Sequence, residues 1–264
     1  MKKLNLRLIF CATLIFLSLI FTFQLYAEID MQTCVGVWLF DEGSGDIVMD
    51  SSGVNADGTI NGAEWVDGKS GKALSFNGLD QFVEIPDSEE LNPKNEMTMA
   101  CWVYITGNEN THRDILSKDG ENAERQYLLT ASDVNTFRAH IWTSDGTANY
   151  FDGSTTVELE TWYHVAQVYD GNVLTLYVNG EEDGSLNFSG EIIVTSQPFR
   201  IGGGANAGAA GYYTPGIIDE VAIFNVALEQ DDIKTLMNSG MAGVLAVSSE
   251  GKMATVWSEI KTQE

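Results

Sequence analysis

Short apolar runs separated by turn residues recur along most of the chain. The clearest case lies within Thr161–Gly180, where Trp162–Tyr169 and Val173–Val178 flank Asp170-Gly171-Asn172. Both runs are rich in Val, Tyr, Leu and Trp, which suit a pleated, half-buried surface. Asp-Gly supplies the positive φ angle that a tight reversal needs, so this segment predicts a β-hairpin.

The same pattern extends in both directions and predicts an all-β chain. Turn pairs such as Asn61-Gly62, Asn77-Gly78 and Asp145-Gly146 follow short strand-like segments, which is typical of a two-sheet antiparallel sandwich or jelly roll. Met97–Thr106 is almost continuously apolar, which predicts a central strand. Further predicted strands are Val35–Phe40, Ala73–Phe76, Gln81–Ile85, Thr136–Thr143, Tyr150–Phe151 and Ile217–Phe224.

The hydrophobic period changes only after the last of these strands. The apolar positions of Leu228–Met237 approximate a helical stripe, which predicts one short helix. Gly240 lies just past its end, where a C-capping glycine belongs. Residues 241–264 are expected to be a tail that is disordered or forms a short strand or helix on the surface. There is no strict repeat and no proline-rich linker, which indicates one domain plus this tail.

The first 27 residues have the pattern of a secretory signal peptide. Lys2, Lys3 and Arg7 precede the apolar segment Leu8–Phe23, and Ala27 is a small residue suited to cleavage. The alternative is an uncleaved N-terminal anchor, because the apolar run approaches membrane-spanning length. Either way, the protein is expected to be secreted or held at the cell surface.

The charge balance excludes some partners and leaves others open. With 38 acidic and 14 basic residues, the chain carries a formal charge of −24, which repels nucleic acid and anionic membranes. Such acidity favours divalent cations, although it is equally the general surface of an extracellular protein. Export permits a disulfide between Cys34 and Cys101, but each lies in an apolar run, so two buried thiols are an equal alternative.

Several motifs in a fixed order resemble those of laminin-G-like (LamG-like) jelly-roll domains in the concanavalin A-like lectin/glucanase superfamily. The resemblance covers about Cys34 to Gly240, and the order of the motifs carries it more than any one of them. The motifs are Val37–Gly45, Asp50–Gly53, Leu74–Gly78, Phe82–Ile85, Met99–Val103, Trp162–Ala166, Leu176–Gly180 and Ile218–Phe224. The family implies two antiparallel sheets, an extracellular location and, in most members, binding rather than catalysis.

Glycoside hydrolases occur in the same superfamily, so paired carboxylates need attention. A retaining glycosidase uses two carboxyl groups about 5–5.5 Å apart. Glu28 and Asp30 begin like a catalytic strand motif but lack its third acid, and Glu158 and Glu160 lie in a polar turn. The three histidines do not share metal-ligand spacing, and His164 is expected to be a core residue. The chain is therefore predicted not to be an enzyme.

A structural calcium ion is the better expectation for the acidic residues, since hard cations prefer carboxylate and carbonyl oxygens at turns. By resemblance to similar jelly rolls, Asp219 on the last strand is the predicted ligand, with Asp41 and Asp80 as neighbours. The alternative is that Asp219 accepts hydrogen bonds from backbone amides.

Aromatic side chains next to polar loops are the candidates for ligand binding. Trp142, Tyr150 and Phe151 flank the Ser144–Asn149 loop, and Tyr212 and Tyr213 follow a glycine-rich loop. They could equally be ordinary core and rim residues.

Taken together, the sequence predicts a secreted, non-catalytic LamG-like sandwich that recognises an extracellular carbohydrate or protein through its rim loops. Two alternatives stay open: a glycoside hydrolase or its lectin-like accessory module, and a structural matrix domain without a small-molecule ligand.

Overall fold

The computed structural model describes residues 29–108, 112–120, 124–204 and 212–261. The predicted signal peptide, Met1–Ala27, lies outside the described residues. After a 3₁₀ turn at Met31–Thr33, the described strands and helix are β1 (Cys34–Trp38), β2 (Ile47–Val48), β3 (Gly58–Asn61), β4 (Glu64–Asp67), β5 (Lys72–Asn77), β6 (Phe82–Ile85), β7 (Met97–Ile105), β8 (Arg113–Asp119), β9 (Arg125–Ala131), β10 (Thr136–Trp142), β11 (Ala148–Thr156), β12 (Trp162–Tyr169), β13 (Val173–Val178), β14 (Glu181–Asn187), β15 (Phe199–Ile201), β16 (Pro215–Phe224) and α1 (Gln230–Lys261).

The strands form two antiparallel sheets that pack as a sandwich, which confirms the predicted fold class. Sheet A has the order β14-β13-β12-β7-β16-β5-β4, with β1 paired to β16, and sheet B has the order β11-β10-β9-β8-β15-β6-β3-β2. A bulge between Asp219 and Ala222 divides β16. Its first half pairs with β5 and its second half with β1, so this strand joins three neighbours in the middle of sheet A.

The predicted hairpin is present as strands β12 and β13. Gly171 has φ 88°, and Asn179 and Gly180 at the following reversal have φ 52° and 78°. The Asp170 carboxylate accepts the backbone N–H groups of Asn172 and Val173 at 2.8 and 2.7 Å. The Asp170-Gly171 turn therefore fixes the register of β12 against β13, as the Asp-Gly motif predicts.

The core between the sheets is built on large apolar side chains from both layers. Trp38 is fully buried, stacks on Phe199 with ring centroids 5.4 Å apart, and donates from Nε1 to the carbonyl of Ala56 at 2.8 Å. Cys101 belongs to this core, whereas Cys34 belongs to a second apolar cluster on the helix side of sheet A. Both are buried free thiols, which decides the alternative left open by the sequence.

Helix α1 packs on the outer side of sheet A through the second cluster. Ile233 and Leu236 contact it before a break at Gly240, which has φ 68°, and Met241 and Val244 contact it afterwards. The glycine ends the first helical segment as predicted, and the chain then forms a second helical segment, which is one of the alternatives expected for the tail. Within the described residues, no helix is both long and apolar enough to span a bilayer.

Replacing Gly240 by alanine should lower the free energy of unfolding by about 2 kcal/mol. Gly240 has φ 68° and ψ 161°, a region essentially restricted to glycine that costs another residue about 1–3 kcal/mol, and a Cβ at this position would lie 2.7 Å from Glu220 Oε1. The Glu220 carboxylate accepts the N–H groups of Met241 and Ala242 and so caps the second segment. Urea unfolding followed by circular dichroism measures the change.

Gly243→Ala is the matched control. This glycine lies inside the second helical segment, its added Cβ would be 3.4 Å from the Ser239 side chain, and alanine is the better helix former. Equal losses in both variants would contradict the capping role of Gly240.

Candidate functional site

The two faces of sheet B differ in chemistry because side chains alternate along each strand. On β9, Tyr127 and Leu129 belong to the core, whereas Leu128 and Thr130 point to the opposite, outer face. On β8, a bulge between Asp114 and Leu116 places Ile115 and Leu116 together in the core. The outer face of sheet B thus carries polar and aromatic groups that the core does not use.

Strand register aligns these outward side chains into rows across the sheet. The first row is Tyr150, His140, Leu128, Ser117, Arg200 and Glu84. The second row is Asp152, Arg138, Thr130 and Asp114. Residues far apart in the chain therefore meet on one surface, with Trp142 two positions beyond His140 on the same side of β10.

Three rings form a stack at the β10–β11 end of this face. His140 lies between Trp142, at 5.2 Å and 10° between ring planes, and Tyr150, at 5.0 Å and 19°. The guanidinium groups of Arg125 and Arg138 lie 5.7 Å from the Trp142 ring and 5.5 Å from the Tyr150 ring. The Tyr150 side chain is 52 % exposed, so the stack, Trp142–His140–Tyr150, is open to a ligand at one side.

The imidazole within this stack is buried without a hydrogen bond. Neither Nδ1 nor Nε2 of His140 has a partner among the described residues. Burial, followed by the nearby Arg138 charge, lowers the pKa of His140 to about 3. The ring is therefore neutral at any physiological pH and adds no positive charge to the face.

Asp114 is the least expected group on this face. It is 1 % exposed, and neither carboxyl oxygen has a hydrogen-bond partner among the described residues. The Thr130 hydroxyl is close enough to the Asp114 carboxyl to oppose the rise of its pKa, but the hydroxyl donates to the carbonyl of Ala131 at 3.3 Å. Burial, followed by the charge of Asp119, raises the pKa of Asp114 well above its usual range, so the group can be a neutral acid that both donates and accepts.

A third unpartnered group lies on the same face. The Gln126 side chain accepts the N–H and hydroxyl of Thr195 through Oε1, both at 3.3 Å, but its Nε2 has no acceptor among the described residues. Buried polar groups in folded proteins nearly always have partners, and each exception calls for an explanation. The unpartnered atoms of His140, Asp114 and Gln126 lie beneath the surface of this face, so in this conformation they make no direct contact with a ligand.

Every arginine that the structure places on this face is paired with a carboxylate. Arg138 donates to both oxygens of Asp152 at 2.8 Å and to Asp133 at 3.1 Å. Arg200 donates to Glu84 at 2.8 and 3.0 Å. Arg125 lies 3.9 Å from Asp119.

The five aromatic residues predicted as ligand contacts separate into two groups. Trp142 and Tyr150 belong to the stack, and Tyr212 lies near the same face, 5.7 Å from the ring of His112. Phe151 packs against the core, and Tyr213 is 4 % exposed beside Phe82. Sequence reasoning did not select His140 or Asp114; the His140-x-Trp142 spacing on one strand was the available signal for the first, and none was available for the second.

The predicted calcium ligands do not all meet. Asp219 accepts the N–H of Ser70 at 2.9 Å, and Asp41 accepts the N–H of Lys72 at 2.9 Å, so both lie at the β4–β5 turn. Asp80 bonds Asn77 at 2.9 Å, at the opposite end of β5, roughly 17 Å away for six residues of strand. The second oxygen of Asp219 has no partner among the described residues, yet those residues contain no group of three acidic, histidine or cysteine side chains able to hold a metal.

The remaining candidates from the sequence have structural positions. Asp30 caps the 3₁₀ turn by accepting the N–H of Gln32 at 3.0 Å, and Glu28 lies outside the described residues. Glu158 and Glu160 are exposed in the turn before β12. His164 is 3 % exposed and packs edge-on against Trp102 at 5.3 Å, as expected of a core residue.

A family model described as the concanavalin A-like lectin/glucanases superfamily, of the laminin G type, matches residues 76–234, which is more than half of the chain. A search of curated proteins gives no match.

Solved structures with the same fold include a binding domain and parts of enzymes. The chain matches the binding domain of Paraclostridial Mosquitocidal Protein 1 (TM-score 0.64, 17 % identity, 79 % of this chain and 52 % of that one). It also matches Trypanosoma rangeli sialidase in complex with 2,3-difluorosialic acid (TM-score 0.61, 19 % identity, 79 % of this chain and 33 % of that one). A third match is domain 4 of AbnA, an extracellular GH43 arabinanase from Geobacillus stearothermophilus, in complex with arabinotriose (TM-score 0.59, 20 % identity, 78 % of this chain and 98 % of that one). The chain thus spans about half of the first structure and a third of the second.

Proposed function

Because the chain belongs to the laminin G-type family of the concanavalin A-like lectin/glucanase superfamily, we propose that it is a secreted, non-catalytic module that binds extracellular carbohydrate. The binding surface is the outer face of sheet B around the Trp142–His140–Tyr150 stack, rather than the rim loops alone. The observation that carries this proposal is the exposed Tyr150 ring at one end of the stack, on a face that also carries the hydrogen-bonding groups of Arg138 and Asp152.

Carbohydrate suits this combination of groups. Ligand sites combine apolar and aromatic walls with a few well-placed polar atoms. A sugar offers C–H surfaces to the exposed Tyr150 ring and hydroxyl groups to accessible carboxylates such as Asp133 and Asp152. The arabinotriose complex of the similar AbnA domain supports a sugar ligand as an analogy of fold.

One observation favours the glycoside hydrolase alternative. Asp114 and Asp119 lie on the same strand, and the charge of Asp119 contributes to the raised pKa of Asp114. Paired carboxyls with separated pKa values are the requirement for acid and nucleophile. Asp114 and Asp119 are only 1 % and 3 % exposed, however, and the backbone of Gly204 lies directly against the Asp114 carboxyl, where a Cβ would overlap it. This burial supports binding over turnover.

A glycan array probed with the purified chain, in millimolar calcium and in chelator, tests the proposal. Binding to a defined set of glycans without release of reducing sugar is the expected result. Sugar release would establish the hydrolase alternative, and absence of any glycan binding would favour the structural matrix domain.

Calcium is part of the proposal only as a structural ion near Asp219 and Asp41. The unpartnered oxygen of Asp219 supports it, and backbone carbonyls would have to complete the coordination. An unchanged melting midpoint between chelator and millimolar calcium would remove the ion from the proposal.

A further inference from the structure

The charges on the outer face of sheet B bear on the class of sugar that can bind there. Acidic glycans are usually recognised by arginine, whose guanidinium matches a carboxylate in a two-point contact. Arg138 already makes such a contact with Asp152 and a further bond to Asp133. Arg200 is bonded to Glu84, and Arg125 lies next to Asp119. An acidic sugar would have to break one of these pairs.

The remaining polar groups of the face also disfavour a negative ligand. His140 is a neutral ring between two aromatic neighbours, and Asp114 is a buried carboxyl that brings no positive charge to the face. An anion placed there would lie near the carboxylates of Asp133 and Asp152, and both already engage the Arg138 guanidinium. The formal charge of −24 on the whole chain adds a long-range repulsion.

We propose that this face selects uncharged glycans and rejects those that carry carboxylate groups, because its arginines are already neutralised by neighbouring acids. The inference rests on the proposed carbohydrate function and names the ligand class for it. The role of Asp133 and Asp152 is then to set specificity, since they occupy the guanidinium that an acidic sugar would need.

Matched pairs of oligosaccharides test the selection in the wild-type chain. Trisaccharides of glucose, galactose and mannose are compared with the corresponding uronates, which differ only at C6, by calorimetry. The neutral member of a bound pair is expected to bind at least about tenfold more tightly, and the difference should narrow as salt is raised. Equal or tighter binding of the uronate would overturn the inference and leave the carbohydrate function intact. Failure of every sugar to bind would overturn both.

A variant that frees Arg138 from its ion pairs tests whether those pairs cause the preference for neutral sugars. Asp133→Asn with Asp152→Asn frees Arg138, so the preference for the neutral sugar should fall at least about fivefold, mainly through tighter binding of the uronate. The control, Glu89→Gln with Glu90→Gln, removes the same number of negative charges from exposed positions after β6 and should leave the preference for the neutral sugar unchanged. Equal effects of the two double variants would contradict a local role for Arg138. If the first double variant melts too low for use, the salt dependence of the wild type decides: a preference for the neutral sugar that does not narrow as salt is raised contradicts a role of charge.

Discussion

Replacement of both Trp142 and Tyr150 by alanine is expected to weaken glycan binding at least about hundredfold. Loss of one good contact of about 1.4 kcal/mol is a factor of ten in affinity, and an aromatic contact is worth about that much. Both rings also shape the surroundings of His140, so their removal takes away the whole stack. Titration calorimetry with the best glycan from the array measures the loss.

The same variant has a readout that does not need a ligand. His140 is buried by its two neighbouring rings and by β10 itself, and its pKa of about 3 comes first from that burial. Without the rings, the pKa should rise towards the usual value near 6.5, which proton NMR of the imidazole reports. An unchanged His140 pKa would show that the rings do not bury it.

Tyr104→Ala with Trp162→Ala is the matched control for the loss of binding. These two residues form a ring pair 5.4 Å apart on the outer face of sheet A, so the same residue types are removed from the other layer. Binding should persist in the control. Loss of binding there, with retention in the Trp142 and Tyr150 variant, would move the site to sheet A.

The parts of the fold that the sequence predicted well are those with a strong apolar signal. β12 and β13 begin and end at the predicted residues, and β7 ends one residue before the predicted boundary. Their side chains are buried on one or both faces, so hydrophobic pattern and turn chemistry agree. Gly240 was likewise predicted correctly, since a positive φ at a helix end strongly favours glycine.

The parts that were missed carry little apolar signal. β11 extends over Ala148–Thr156 although only Tyr150–Phe151 was predicted, and its residues alternate between exposed and half-buried. β14 is mostly acidic and polar, and no strand was predicted there. Both strands lie at sheet edges, where a strand is stabilised by backbone pairing on one side and buries little side-chain area. Hydrophobic periodicity cannot find such strands.

The candidate site was predicted in part. Trp142 and Tyr150 were selected as aromatics beside a polar loop, and the structure brings them together through the pairing of β10 with β11. Asp114 could not be found, because its isolation depends on a bulge in β8, on register with β9 and on the glycine backbone that lies against it. These are long-range features, and no local pattern distinguishes a buried unpaired acid from an exposed one.

The contribution of Asp219 to stability should fall as the pH rises from about 4 to 7, and Asp219→Asn should remove it. Buried His140 and His164, whose pKa values are lowered to about 3 and about 4, contribute with the opposite sign, so the effect is the difference between the curves of the two proteins. Burial raises the pKa of Asp219 to about 7, with a further contribution from the neighbouring charge of Glu220. A group whose pKa is higher in the folded state stabilises the protein fully when the pH is below its pKa in the unfolded state. This contribution is lost as the pH rises through its pKa in the folded state. A difference of about three pKa units corresponds to about 4 kcal/mol in the free energy of unfolding.

Thermal melts in chelator, from pH 4.5 to 8.5, compare the wild type with Asp219→Asn. Asp80→Asn is the control, because Asp80 is an exposed aspartate at the opposite end of β5, and it should behave as the wild type. Parallel curves for wild type and Asp219→Asn would contradict the assignment. Repeating the melts at pH 8 in millimolar calcium then separates the two roles of this carboxyl: a midpoint that rises in the wild type but not in Asp219→Asn requires a bound ion, because a metal stabilises only the folded state that holds it.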